Sequence, residues 1–143
     1  MIKLLSSLRL HLIFIVLTQI LYTLVDLFRP DTLDSYWIFF YTGICIFIYL
    51  AAGWVVMYEI GKRLTAAIAG LLVFIVGYLT QLIGLFLFIP WVHGKAMPNI
   101  GSALLKFIHY GLYYALIAMA LAVVGAHICN QYKRHQKEKQ HVT

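Results

Sequence analysis

The sequence predicts an all-α polytopic membrane protein: an antiparallel four-helix transmembrane bundle with both termini on the cytoplasmic side. Three observations predict it. Hydrophobic residues make up 63% of the chain and charged ones 11%, more apolar surface than a water-soluble domain of this size hides. The apolar residues fall in four runs, each near the roughly 20 residues that a helix needs to cross about 30 Å of hydrocarbon. Lys3, Arg9, Lys62, Arg63, Lys133, Arg134, Lys137 and Lys139 collect at one set of segment ends, against Arg29, Lys95 and Lys106 at the other. The side richer in Lys and Arg is the cytoplasmic one.

The first segment, about residues 10–28, follows Lys3 and Arg9 as a secretory signal would. Residues 23–30, Thr-Leu-Val-Asp-Leu-Phe-Arg-Pro, hold no small-x-small cleavage site, so an uncleaved first helix is expected, halted at Arg29-Pro30-Asp31. The second, about 36–58, opens on an aromatic belt of Tyr36, Trp37, Phe39, Phe40 and Tyr41 and closes on Trp54 and Tyr58. A short link from Glu59 to Arg63 makes the third, about 64–89, its antiparallel neighbour. Pro90, Pro98, Asn99 and Gly101 punctuate the longest connection, and Phe88, Trp91, Tyr110, Tyr113 and Tyr114 thicken the same belt. The fourth, about 104–129, completes a domain of residues 1–130. Residues 131–143 form a basic tail with too little apolar content to fold alone, expected to lie near anionic headgroups.

Composition and motif narrow the function classes. The net charge of +6 would suit nucleic acid, but the basic residues flank apolar segments instead of lining a groove, so the bilayer is the expected partner and nucleic acid is not. Cys45 and Cys129 lie at different depths, and the absence of a CxxC leaves neither a disulfide nor a zinc site to expect. The sequence holds no HExxH, Gly-x-Ser-x-Gly or GxxxxGK[ST]. Its acidic residues, Asp26, Asp31, Asp34, Glu59 and Glu138, offer little for intramembrane acid–base chemistry, so no enzyme is expected.

Two patterns nominate residues. Small residues recur at helical spacing, Ala66, Gly70, Gly77 and Gly84 on the third helix and Gly111, Ala115, Ala118, Ala122 and Gly125 on the fourth. Helices in lipid associate through close backbone approach, so these stripes predict a tightly packed third and fourth helix, or contact with a second copy. The first helix gathers His11, Thr18, Gln19, Tyr22, Thr23, Asp26 and Arg29 within an arc of about 140° at 100° per residue. Ionisable groups at membrane depth are costly and are paired or functional. Asp26 therefore either pairs with Arg29 or forms a cation or proton site beside Thr18 and Gln19. Gln81, on the glycine face of the third helix, is expected to bond Gln19 or Thr18.

A haem needs two axial ligands at one depth. His11 with His127, or His93 with His109, would serve by depth. His109 and His127 nevertheless point off the small-residue stripe, and no cofactor is expected. The sequence thus points to a non-enzymatic interaction or accessory protein of a bacterial cytoplasmic (inner) membrane, partnered by itself or by another membrane subunit. The alternatives are a small oligomeric transporter or channel using the polar face of the first helix, or a haem-bearing redox subunit.

Overall fold

A computed structural model describes residues 2–28, 35–93 and 100–140. The architecture is all-helical: α1 Ile2–Phe28, α2 Ser35–Glu59, α3 Arg63–His93 and α4 Ile100–Gln140. All four helices are long and apolar enough to cross a membrane.

Consecutive helices pack antiparallel, as pairings of Gln19 with Tyr41 and of Gly70 with Ala118 show. The arrangement is not a square. α2 and α3 touch each other and both outer helices, whereas α1 and α4 lie on opposite sides of that pair and barely meet. The cross-section is therefore a rhombus with α2 and α3 on its short diagonal. In it α4 packs parallel to α2, and α1 parallel to α3.

The helix ends differ from those the sequence suggested, each for a physical reason. α1 starts at Ile2 rather than near Leu10 because Leu4 and Leu8 are buried and continue the inward row through Ile15 to Gln19. Lys3 and Arg9 flank that row without ending it. α3 runs past Pro90 to His93; a proline has no N–H to give the helix, and less than one further turn follows it. The tail after Asn130 is a correction of a different kind, since α4 extends through it to Gln140. It does not nucleate alone but propagates from a formed helix. Side-chain pairs one turn apart support it: Gln131 Nε2 with His127 Nε2 at 3.0 Å, Gln136 Nε2 donating to the Tyr132 hydroxyl at 2.8 Å, and His135 with Glu138 at 3.3 Å. Lys137 and Lys139 also oppose the negative end of its dipole.

The core lies toward the basic end, where α1 and α3 begin and α2 and α4 arrive. It joins Leu4, Leu8 and Ile15 to Ile48, Ala52, Val56 and Met57, with Ala66, Ala69 and Val73 from α3 and Ala126 and Cys129 from α4. Among the described residues, fewer buried side chains lie toward the aromatic end. Leu105, Ile108, Leu112, Leu116 and Ile117 of α4 and Ile38, Phe39 and Phe40 of α2 are exposed there, as lipid-facing side chains should be. One α2–α3 turn closes the basic end: Ile60 N–H donates to Val56 O at 2.8 Å, and Gly61 takes φ 77°, the left-handed position that ends many helices and suits a residue without Cβ.

Candidate functional site: glycine seams and a polar tie

Glycines set where helices approach most closely, and they do not distribute as the sequence suggested. A Cβ on Gly53 of α2 would sit 1.8 Å from the Ala122 carbonyl oxygen, and one on Gly125 of α4 would sit 2.0 Å from that of Leu50. With a Cα–Cβ bond of about 1.5 Å, the glycine Cα atoms lie at most about 3.3 and 3.5 Å from those oxygens, within the range of Cα–H···O bonds. α2 and α4 thus approach each other reciprocally, backbone to backbone. Ala122 and Ala126 are buried in the same seam.

α3 and α4 do pack against each other, but only part of the glycine stripe of α3 takes part. Gly70 approaches Ala118 O and Ala122 Cβ, its Cβ position 2.5 and 2.8 Å from them, and Gly111 receives the Tyr78 side chain. Gly77 and Gly84, expected against α4, face α1 instead: a Cβ would meet Ile15 Cγ1 at 2.7 Å in the first case and Thr23 Oγ1 at 2.9 Å in the second. A seven-residue step turns the stripe back by about 20° on a straight helix, so it passes from one neighbour to the other. Ala66, Ala118 and Ala122 are fully buried and Ala115 half-buried. Among the described glycines Gly53 makes the closest approach, yet it stands outside both stripes; the run Ala51-Ala52-Gly53 is the signal for it in the sequence.

The polar face of α1 yields a tie between helices. Gln19 is the buried polar residue among those described, 5% exposed. Its Oε1 accepts from the Tyr41 hydroxyl of α2 at 2.8 Å, not from Gln81 as the sequence suggested. Its Nε2 rests 3.6 Å from where a Gly77 Cβ would be, so glycine on α3 makes room for the amide. The Tyr22 ring lies 4.3 Å from that of Tyr41, and Cys45 stands one turn along α2 from the same residue. By sequence Tyr41 belongs to an aromatic belt. The need of a buried amide for a partner is the signal that could single it out.

The remaining candidates stay apart. Thr18 Oγ1 donates to Phe14 O at 2.8 Å and Thr23 Oγ1 to Gln19 O at 2.9 Å, both within α1. Gln81 is half-buried on α3. The side chain of Asp26 and residues Arg29, Asp31 and Asp34 lie outside the described residues, as do Lys95 and the side chains of His93 and Lys106. Of the histidines, His11 Nδ1 is buried without a partner, His127 meets Gln131, and His109 lies against Tyr110 and Tyr113. His11 and His127 sit on α1 and α4, which barely meet. Among the described residues no three His, Cys, Asp or Glu side chains cluster for a metal.

At the basic end the polar groups are structural in a second way. Ser7 of α1 bonds the Glu59 carboxylate at the end of α2. Lys133 of α4 donates to Tyr58 O at 2.8 Å, stands 3.5 Å from Met57 O, and lies 4.5 Å from the Tyr58 ring centroid. Carbonyls at a helix C-terminus have no partner within the helix, and a cation there also meets the negative end of the dipole. No protein-family model, curated protein or solved structure matches this chain.

Proposed function

We propose that this chain is a non-enzymatic accessory subunit of a bacterial cytoplasmic membrane, with both termini in the cytoplasm, that binds another membrane protein or a second copy of itself. The observation that carries the reading is the reciprocal backbone approach of α2 and α4 at Gly53 and Gly125. A conduit needs a hydrated space between helices, and these seams leave no space for a methyl group. The polar face of α1 agrees with it. Gln19 is engaged by Tyr41, so its role is interhelical glue of about 0.6–2 kcal/mol rather than a lining group.

The surface left for a partner is the aromatic half of α4. Leu112, Tyr113, Leu116 and Ile117 are each at least half exposed, and tyrosine combines apolar contact with a hydroxyl for interhelical bonding. Cysteine cross-linking in native membranes tests the reading, with Cys45 and Cys129 replaced by Ala and single cysteines placed at Tyr113, Leu116 or Ile117. A discrete adduct, to a second copy or to one partner, is expected. Flux of protons or cations through liposomes containing the chain alone, abolished by Asp26→Asn, would replace this reading with a transporter.

A further inference from the structure

α4 carries on where α2 stops, and a groove opens in the angle between them. Tyr58, Tyr132, Lys133, Gln136 and Lys137 line it, around about 550 Å³. Two rows of one α4 face, Tyr132 with Gln136 and Lys133 with Lys137, form one wall, since residues four apart stack along a helix. The last turn of α2 forms the other.

The lining is made of donors. Two carbonyls of α2 take two N–H groups of the Lys133 ammonium, which itself lines the groove, and leave a third. Gln136 donates to the Tyr132 oxygen, which leaves the phenolic proton of Tyr132 to donate onward. Lys137 adds a second ammonium and Tyr58 a second phenol. No carboxylate lines the groove among the described residues. Both carboxylates described at this end are engaged elsewhere, Glu59 by Ser7 and Glu138 by His135. Lys62 and Arg63, at the adjoining start of α3, add positive field.

The groove also lies at a definite depth. Its α2 wall is the last turn of an apolar span, Tyr36–Glu59, and Trp54, one turn deeper, packs 5.6 Å from the Tyr132 ring. Tryptophan and tyrosine mark the headgroup level. Below Tyr132 on the same stripe of α4, Val124 and Ile128 are both exposed, an apolar track leading from the bilayer to the cationic pocket. A donor-lined pocket above an apolar track suits a ligand with a phosphate at one end and hydrocarbon at the other.

We propose that the groove between the end of α2 and the extension of α4 binds the phosphate of an anionic phospholipid, with an acyl chain along Val124 and Ile128. This rests on the chain spanning a membrane and is independent of its having a protein partner. Each lysine near a surface favours anionic over neutral lipid about five-fold.

Quenching of Trp54 tests the site in the full chain carrying Trp37→Phe and Trp91→Phe. The protein is reconstituted in phosphatidylcholine vesicles that include either phosphatidylglycerol or phosphatidylcholine with brominated acyl chains. Trp54 should be quenched preferentially by the anionic lipid, and Lys137→Gln should lower that preference about five-fold while far-UV circular dichroism is unchanged. Arg134→Gln, which removes the same charge from outside the groove, should leave the preference intact. Equal quenching by both lipids would overturn the proposal, as would equal losses in the two variants, which would mean diffuse surface charge. Relief of quenching by an excess of inorganic phosphate would assign the groove to a soluble anion instead.

Discussion

Gly53→Ala adds one methyl group where α2 meets α4, and the structure sets its cost. The new Cβ would lie 1.8 Å from Ala122 O, whereas ordinary contact begins at 3.4 Å, so the backbones must part by up to about 1.6 Å. The obstacle is a carbonyl in a helix, which cannot rotate aside as a side chain could. A gap of 0.5–1 Å already forfeits a quarter to a half of the dispersion energy of the facing atoms. Overpacking of this kind costs about 1–3 kcal/mol, and the two Cα–H···O bonds that break with it contribute roughly 0.5–1 kcal/mol each. Against this, alanine gains about 0.5–1 kcal/mol over glycine inside a helix. The net loss expected is about 1–4.5 kcal/mol. Gly43, ten residues along the same helix, has nothing within 4 Å of its Cβ position, so Gly43→Ala retains only the helical gain and should be neutral or slightly stabilising. Reversible unfolding in mixed detergent and sodium dodecyl sulfate, followed by circular dichroism, measures both. Equal midpoints for the two variants would refute the backbone-approach reasoning.

The other expectations concern side chains whose partners are named. Gly77→Ala should cost less than Gly53→Ala in the same unfolding assay, because the atom it meets is a side-chain methylene, Ile15 Cγ1 at 2.7 Å, and not a backbone carbonyl. Gln19→Leu and Tyr41→Phe should each destabilise by about 0.6–2 kcal/mol, and a double-mutant cycle should return a coupling of roughly that size; additive effects would mean that the 2.8 Å bond contributes nothing net. Gly61→Ala should cost about 1 kcal/mol despite open space around the residue, because φ is 77°. Lys133→Met keeps the stem and removes the ammonium, so amide exchange over the last turn of α2 should accelerate while the middle of that helix stays protected.

How far the sequence could be read depended on whether a property belonged to one helix or to two. Four spans follow from four apolar runs because the length and hydropathy of a span are local. The inward face of α1 is local too: on the polar arc Gln19 is buried and His11, Thr18, Tyr22 and Thr23 are half-buried, although the polar pattern does not mark the arc's continuation to Leu8 and Leu4. What a helix touches is not local. Small residues at Gly70, Gly77 and Gly84 announce that something comes close, yet the same stripe receives α4 at its first member and α1 at the other two. Nothing in one stripe names its occupant. The short link from α2 to α3 makes them neighbours, but α2 also packs in parallel against α4, a pairing that no loop enforces and that chain order does not suggest.

The candidate site shows the same limit from its polar side. A glutamine in an apolar helix must find a partner, and the sequence offered a bond from Gln81 to Gln19 or Thr18; it did not offer Tyr41. Tyr41 is the partner because α1 and α2 cross at that depth and Gly77, on α3, gives the amide room instead of a competing side chain. Thr18 is excluded by its own helix, since a threonine hydroxyl in an α-helix reaches the carbonyl four residues back, here Phe14 O. The consequence bears on function. A polar group whose bond is already made inside the fold stabilises that fold, and Lys133, Gln136 and Lys137, at the basic end, are polar groups that keep donors to spare. Binding by this chain should therefore be sought at its membrane surface and on its lipid-facing helices rather than along its axis.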